Sequence, residues 1–73
     1  MIMVRTMDGV IHTFEEGREY KHVGDEVHSI LKIYNYNEKV VMQFNFDHIV
    51  NYGHVNEPRE YIADWDESKV IQY

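Results

Sequence analysis

The sequence predicts a mainly β protein: a small antiparallel sheet or SH3-like barrel of about five strands, with a short C-terminal helix or hairpin. Three local patterns lead to this fold class. An Asp8-Gly9 pair separates two β-branched runs, which is a strong signal for a hairpin. Residues 39–46 alternate between apolar and polar side chains, as a half-buried strand does. The asparagines in residues 35–38 predict a turn between two further apolar runs.

The first predicted element is a hairpin with strands at residues 2–7 and 10–15. We expect a type I′ turn at Asp8-Gly9, which requires positive φ at both turn residues. Along the second strand, successive side chains point to opposite faces of the sheet. One face carries Val10, His12 and Phe14, and the other carries Ile11 and Thr13.

The middle of the chain predicts a polar loop followed by two strands. Residues 16–26 contain two glycines and many charged residues, so we predict a loop there, with at most a short extended piece at 20–23. Residues 27–34 predict the third strand, and residues 39–46 predict the fourth. The fourth strand should bury the face that is formed by Val40, Met42, Phe44 and Phe46.

A fifth strand is predicted at residues 48–55, directly after the fourth. We expect residues 40–55 to form two adjacent strands of one antiparallel sheet, separated at Asp47 and His48. Gly53 predicts a bulge or bend in the fifth strand, because a glycine inside a strand often marks such a position.

The whole chain, residues 1–73, predicts a single domain with two parts. Residues 1–55 form the sheet core, and residues 56–73 form an acidic, aromatic segment that carries five acids and two bases. We refer to residues 56–73 as the C-terminal segment.

The C-terminal segment allows two secondary structures. Pro58 favours the start of a short helix or helical turn, on which Tyr61, Ile62 and Trp65 would share one stripe. The alternative is a pair of short strands at residues 60–65 and 69–73, joined around residues 66–68.

The composition is acidic and contains no cysteine. Thirteen Asp and Glu residues against seven Lys and Arg residues give a formal net charge of −6. The basic residues are scattered, so direct nucleic-acid binding is not expected, because nucleic-acid-binding proteins cluster their Lys and Arg residues. An acidic surface suits a partner protein with a basic surface.

Size and hydropathy bear on location and assembly. No apolar run approaches the ~18 residues of a membrane span. The first residues lack the apolar region of a signal peptide and the chain has no cysteine, so a reducing cytoplasm is the expected location. A core of this size supplies roughly 3–5 kcal/mol when no disulfide or metal reinforces it. We therefore expect a homo-oligomer.

No catalytic, metal or cofactor site is predicted. The five histidines lack the short, paired ligand spacing of zinc sites. His48 and His54 would lie about 20 Å apart along an extended strand, too far to share one ion. The only serines, Ser29 and Ser68, lie outside any nucleophile-elbow motif.

Aromatic residues give the one functional signal. The chain has six Tyr, three Phe and one Trp, and six tyrosines cannot all fit one small core. Tyrosine and tryptophan are enriched at protein interfaces. The C-terminal segment places such residues among carboxylates. Its predicted partner-binding surface comprises Tyr61, Asp64, Trp65, Asp66 and Glu67.

Two stretches carry a resemblance to a known type of protein. Residues 1–14 have the pattern MxxVxTxDGxxxxF, and residues 33–49 have the pattern IYNxNEKVVxxFNxDxI. In these features, and in its small size and acidity, the chain resembles the small accessory proteins of phages and prophages of low-GC Gram-positive bacteria. The resemblance implies a protein that binds and inhibits a host protein, such as a defence nuclease or another nucleic-acid-processing protein. It transfers no functional residue.

The leading functional hypothesis is therefore a non-catalytic protein that binds and inhibits or modulates a host protein. A second hypothesis is a module that sequesters a small ligand or nucleotide between protomers, through stacking on tyrosine and contacts from Arg5, Arg18 or Arg59. A third is a structural protein of a virion or another assembly.

Overall fold

The computed structural model describes residues 1–24 and 28–73. The mainly β fold class is confirmed, and the described residues contain seven strands. In chain order they are β1 (Ile2–Thr6), β2 (Ile11–Phe14), β3 (Gly17–Gly24), β4 (Ser29–Asn35), β5 (Val40–Asn45), β6 (Ile49–His54) and β7 (Val70–Gln72). The end of the predicted loop at 16–26 and Val27, the first residue of the predicted third strand, lie outside the described residues. No described helix is long and apolar enough to cross a membrane.

The strands form two sheets instead of the single sheet that the sequence predicted. The central sheet has the strand order β6-β1-β2-β7, and the outer sheet has the order β3-β4-β5. All neighbouring strands are antiparallel except β2 and β7, which are parallel. The two sheets do not close into a barrel, so the SH3-like closure is not formed.

The hairpin between β1 and β2 forms as predicted, but with a different turn. Its loop is Met7-Asp8-Gly9, because Gly9 donates a backbone hydrogen bond to the Thr6 carbonyl and Thr6 donates one to the Val10 carbonyl. Gly9 has a φ of 85°, and Asp8 is not among the described residues with positive φ. The turn is therefore a three-residue loop with one left-handed position, and the predicted type I′ turn is wrong.

Strand β3 occupies most of the stretch that was predicted as a loop. It is the longest strand and pairs with β4 from Gly17 opposite Asn35 to Gly24 opposite Ser29. Its inner face carries Tyr20, which packs against the core. The polar composition concealed this strand, because an edge strand with one solvated face needs few apolar residues.

The predicted turn between β4 and β5 is confirmed at residues 35–38. The Asn35 side chain accepts backbone hydrogen bonds from Asn37 (2.9 Å) and Lys39 (3.1 Å). Glu38 takes the left-handed position with a φ of 61°. Asparagine favours this turn because its short side chain bonds to the backbone two residues on.

Residues 40–55 do not form two neighbouring strands. A short 3-10 turn, Phe46–His48, follows β5, and it carries the chain from the outer sheet to the central sheet. The Asn45 side chain caps this turn by accepting the backbone N–H of Asp47. As a result, β6 pairs with β1 and not with β5. The pairing of β1 with β6 shifts register between Arg5, which lies opposite Asn51, and Thr6, which lies opposite Ile49. Gly53 pairs regularly with Met3, so the bulge that was predicted at Gly53 is wrong in position.

Two apolar clusters lie on opposite faces of the central sheet. The larger cluster lies between the sheets and contains Ile2, Val4, Phe14, Leu31 and Ile33. The smaller cluster lies between the central sheet and the C-terminal segment and contains Met3, Ile11 and Ile62. Because neighbouring residues of β1 enter different clusters, β1 is apolar on both faces. The molecule therefore has three layers.

The face of β5 that was predicted to be buried is only partly so. Met42 and Phe44 are half-buried and pack against the larger cluster, whereas Val40 is exposed. Phe46 also packs against that cluster, but it lies in the 3-10 turn beyond the strand. In the central sheet, which packs against the outer sheet, all fully buried residues belong to β1 and β2.

The C-terminal segment contains no α-helix, and of the favoured helix or helical turn only short 3-10 turns are formed. Pro58 opens only a 3-10 turn, Pro58–Glu60, and a second such turn covers Glu67–Lys69. The strand at its end is β7. The segment keeps its irregular path because Ile62 anchors it in the smaller cluster.

Candidate functional site

The predicted partner-binding surface lies on the layer that covers the central sheet. Ile62 is 2% exposed, while the preceding residue, Tyr61, is 62% exposed. The chain therefore buries one side chain and presents the next one to solvent. Pro58 is also buried, so the segment is fixed on both sides of Tyr61.

Asp64 is held by an ion pair with the central sheet. The Arg5 guanidinium donates a hydrogen bond to Asp64 at 2.9 Å. This hydrogen bond is the main reason that the pKa of Asp64 lies below its usual value. Asp64 thus anchors the C-terminal segment to β1, and the Arg5 guanidinium offsets part of the negative charge of Asp64.

Trp65, Arg59 and Glu67 form a connected cluster. The Trp65 indole N–H donates to the Glu67 carboxylate at 3.3 Å, and Arg59 forms an ion pair with the same carboxylate. The Arg59 guanidinium lies over the Trp65 ring at 5.6 Å from the ring centroid. These three residues, with Val70 and Gln72, line a surface depression of about 310 Å³.

Asp66 has a local structural role. Its side chain accepts hydrogen bonds from the hydroxyl of Ser68 (2.7 Å) and from the backbone N–H of Ser68 (3.0 Å). These bonds, led by the hydroxyl, lower the pKa of Asp66. Among the five predicted site residues, contacts join Trp65 to Glu67, whereas Asp64 and Asp66 contact other residues.

A second candidate site lies on the open side of the sandwich. On the closed side, rings from β3 and β6 meet, with Tyr20 lying 5.1 Å from Tyr52 and 5.2 Å from His54 between ring centroids. On the open side, β5 lies across a cleft from β2. This cleft has a volume of about 470 Å³ and is lined by Thr6, Met7, Asp8, His12, Gln43, Phe44, Asn45 and His48.

A chain of hydrogen bonds runs along one wall of the cleft. Thr6 donates its hydroxyl proton to Asp8, which leaves the Thr6 oxygen as an acceptor for His12 Nε2 at 3.4 Å. His12 Nδ1 is then the acceptor for the Tyr73 hydroxyl at 3.0 Å. In this arrangement Tyr73 donates to His12, His12 donates to Thr6, and Thr6 donates to Asp8, so each hydrogen bond has one donor and one acceptor.

The electrostatics of this wall follow from its burial and hydrogen bonds. The hydrogen bond from Thr6, and next the one from the Val10 backbone, lower the pKa of Asp8. Burial lowers the pKa of His12, although the nearby Asp8 carboxylate acts in the opposite direction. At neutral pH the cleft therefore presents a carboxylate and a neutral imidazole.

Two rings, those of His12 and Phe44, line the cleft. They meet edge to face, with centroids 4.9 Å apart. Outside this cleft, Tyr73 stacks on Phe14 at 4.6 Å with nearly parallel ring planes, and both of these rings line a neighbouring depression. The cleft can therefore hold a planar group by ring contact and by hydrogen bonds from side-chain amides and His48.

Sequence reasoning missed this cleft. Its walls come from residues that are distant along the chain, and their approach depends on the packing of two sheets. The one available signal was the alternation in β2, which places His12 on the same face as Phe14. In residues 1–24 and 28–73, no three His, Asp or Glu side chains are placed to hold a metal ion.

No protein-family model, curated protein or solved structure matches this chain. Function is therefore inferred from the geometry described above.

Proposed function

We propose that the protein is a non-catalytic accessory protein of the phage type, which binds a host protein and inhibits or modulates it. The observation that carries this proposal is the fixed presentation of Tyr61. Its side chain is exposed next to the buried Ile62, on a segment that is tied down by a proline, an ion pair and a strand. Because the backbone on both sides of Tyr61 is anchored, little of the segment has to be ordered on binding.

The surroundings of Tyr61 indicate the charge of the partner. The C-terminal segment has five acids and two bases, and one of its bases, Arg59, is occupied by Glu67. Glu60, one of the acids near Tyr61, is exposed. Such a surface attracts a basic partner surface and speeds its association at low salt. A defence protein or nucleic-acid-processing protein has a basic surface where it binds phosphates.

Tyr61→Ala tests the proposal directly. Because Tyr61 is exposed, this variant should melt within about 1–2 °C of the parent. Its affinity for a partner captured from host lysate should fall by roughly tenfold or more, as for an interface hot spot. The matched control is Tyr36→Ala in the β4–β5 turn, where the tyrosine is 68% exposed. Equal binding of the partner by all three proteins contradicts the proposal.

A second experiment tests the role of the acids. Replacing Asp64, Asp66 and Glu67 by their amides should slow association, and the effect should shrink as salt rises towards ~0.5 M. The control replaces Glu15 and Glu16, which are exposed on the turn between β2 and β3. The association rate is measured by surface plasmon resonance. An unchanged rate at low salt excludes electrostatic attraction by this surface.

The cleft favours a second candidate function, the binding of a small planar ligand such as a nucleoside. The cleft has a volume that suits such a ligand, and it is lined by two rings and by the side-chain amides of Gln43 and Asn45. Arg5 and Arg59 do not line it, since each pairs with an acid of the C-terminal segment. Native mass spectrometry of the purified protein should show a retained mass that His48→Ala removes.

A further inference from the structure

The cleft on the open side of the sandwich carries a negative charge. Asp8 lies in the loop between β1 and β2, and its carboxylate is exposed. The hydrogen bonds from Thr6 and Val10 lower its pKa, so the group is ionised at neutral pH. The described residues that line the cleft include neither lysine nor arginine. A ligand in the cleft therefore meets a carboxylate and no basic side chain that would bind an anion.

The Asp8 carboxylate is held by one of its two oxygens. Its hydrogen bonds from the Thr6 hydroxyl and from the Val10 backbone N–H, the latter at 3.1 Å, both reach Oδ1. Two neighbours thus fix the orientation of the carboxylate. The second oxygen, Oδ2, has lone pairs that can accept an N–H group of a ligand.

The imidazole of His12 offers a ligand its ring but no nitrogen. Nε2 donates to Thr6 at 3.4 Å, and Nδ1 accepts the Tyr73 hydroxyl at 3.0 Å. Beside this imidazole, the Phe44 ring supplies the second aromatic surface of the cleft. Two rings without a free polar atom favour contact with a flat ligand.

Strand β5 supplies the amides of the opposite wall. Gln43 and Asn45 are both exposed and line the cleft. The side-chain oxygen of Asn45 accepts the backbone N–H of Asp47 at 3.1 Å, so its NH₂ group remains to donate to a ligand. Gln43 adds an amide that can both donate and accept. This wall can therefore bond to the ring acceptors of a heterocycle, and Asp8 to its donors.

We propose that the cleft binds an uncharged, amino-bearing heterocycle, such as the base of cytidine or adenosine, and that the exocyclic amino group donates to Asp8 Oδ2. A carboxylate accepts the amino group of cytosine in the same way where proteins read bases. A base with a carbonyl oxygen in place of the amino group would set two acceptors against each other. This inference rests on the second candidate function, the binding of a small planar ligand, and it names the ligand's chemistry.

The charge of the cleft also separates nucleosides from nucleotides. A phosphate near Asp8 would place like charges together without a lysine or arginine of the cleft between them. The formal net charge of the chain, −6, acts in the same direction. The unphosphorylated nucleoside is therefore the favoured form of the ligand.

Two matched pairs of nucleosides test the amino group on the unaltered chain. Cytidine and uridine form one pair, and adenosine and inosine form the other; in each pair a carbonyl oxygen replaces the amino group. Affinity is measured by NMR titration of the labelled protein, with the amide signals of Phe44 and His48 as reporters of the cleft. The amino member of each pair should bind about fivefold or more tightly than its partner, because a hydrogen bond to a charged group is lost.

The phosphate is tested by comparing adenosine with adenosine monophosphate. The nucleotide should bind about threefold or more weakly at low salt, as expected for repulsion between exposed charges. This difference should shrink as salt rises towards ~0.5 M, because salt screens such charges.

Asp8→Asn tests the role of the carboxylate. The amide oxygen can keep the bonds from Thr6 and Val10, which places the NH₂ group where Oδ2 was. Cytidine and adenosine should then lose roughly tenfold in affinity, and the preference within each pair should disappear or reverse. The matched control is Asp47→Asn, which removes an exposed carboxylate beside the cleft that does not line it. It should keep the preference of the parent, and thermal melting shows that both variants are folded.

The outcomes separate this inference from the function on which it rests. Binding with no preference for the amino member, or a preference that Asp8→Asn leaves unchanged, overturns the inference but not small-ligand binding. Equal affinity for adenosine and its monophosphate at low salt overturns the selection of nucleosides. If none of the five compounds binds at millimolar concentration, small-ligand binding and the inference both fail. The matched pairs decide the main point on the parent chain even if Asp8→Asn does not fold.

Discussion

At the scale of single residues, Glu38 holds a conformation that its side chain disfavours. The left-handed region costs an ordinary L-residue roughly 1–2 kcal/mol, because Cβ approaches the following carbonyl oxygen. The ion pair of Glu38 with Arg18, at 3.7 Å between exposed side chains, offsets little of this cost. The corresponding position in the other hairpin is occupied by Gly9, which carries no such penalty.

Glu38→Gly should therefore stabilise the protein. We expect a gain of about 0.5–1 kcal/mol, which is the relief of strain less the added freedom of the unfolded chain. For a domain of this size, the melting temperature should rise by about 3–6 °C. Glu38→Ala is the control, because it removes the ion pair but keeps the strain. Equal melting of the two variants would show that the turn is not strained.

The aromatic core residues differ in what they contribute. Phe14 is 2% exposed at the centre of the larger cluster, whereas Phe44 is only half-buried. Phe14→Ala should cost about 3–5 kcal/mol in the free energy of unfolding, and Phe44→Ala clearly less. Urea unfolding of both variants provides the comparison. A larger loss for Phe44→Ala would mean that the cleft beside it is closed by packing in solution.

At the scale of elements, the outer sheet contains an unfavourable cross-strand pair. Lys21 of β3 lies directly opposite Lys32 of β4 on the solvent face. Lys21 is partly compensated, because its ammonium lies 3.9 Å from Glu19 and 5.2 Å from the Tyr34 ring centroid. Directly opposed like charges weaken a sheet by a few tenths of a kcal/mol or more.

Lys32→Glu should consequently stabilise the sheet by about 0.5–1 kcal/mol at low salt. The gain should fall as salt screens the exposed pair. Lys32→Gln, which removes the repulsion without adding an attraction, should lie between the parent and Lys32→Glu. Thermal melting at two salt concentrations orders the three proteins. A stability that is independent of salt would show that the pair does not interact.

The accuracy of the sequence-based expectations also differs between elements. The two hairpin turns and the alternation in β5 are local patterns, so they identified β1, β2, β4 and β5. Strand β3 was missed because its edge position and solvated face leave a polar sequence. The assignment of β5 and β6 to different sheets was missed because the 3-10 turn at Phe46–His48 resembles a simple strand break. The ion pair between Arg5 and Asp64 forms only because the C-terminal segment packs on the central sheet, so no local sequence pattern predicts it.

At the scale of the whole molecule, His12 links stability to pH. Its pKa is lowered in the folded state, mainly by burial, so the unfolded chain binds a proton more readily. Stability is therefore highest above the ordinary histidine pKa of about 6.5 and falls as pH drops below it. The groups that face His12 are Thr6, Tyr73, Phe44 and the carboxylate of Asp8, which opposes the shift.

The melting temperature should accordingly be lower at pH 5.5 than at pH 7.5. His12→Gln should show a smaller difference between these two pH values, because the titrating ring is absent. Below about pH 4, protonation of Asp8, Asp64 and Asp66 should destabilise both proteins, since the folded state lowers each of these pKa values. An identical pH dependence in parent and variant would exclude His12 as the source.

The pairing of β2 with β7 has a consequence for the order of folding. The outer sheet is built from hairpins between neighbours in sequence, while the contact of His12 with Tyr73 joins residues 61 positions apart. Closing a loop of that length reduces the entropy of the chain before the new contacts stabilise it, so pairings between distant residues form late. We expect the β4–β5 turn to be structured in the transition state, with Glu38→Gly accelerating folding. The C-terminal segment, which carries the proposed host-binding surface, would then dock after that transition state.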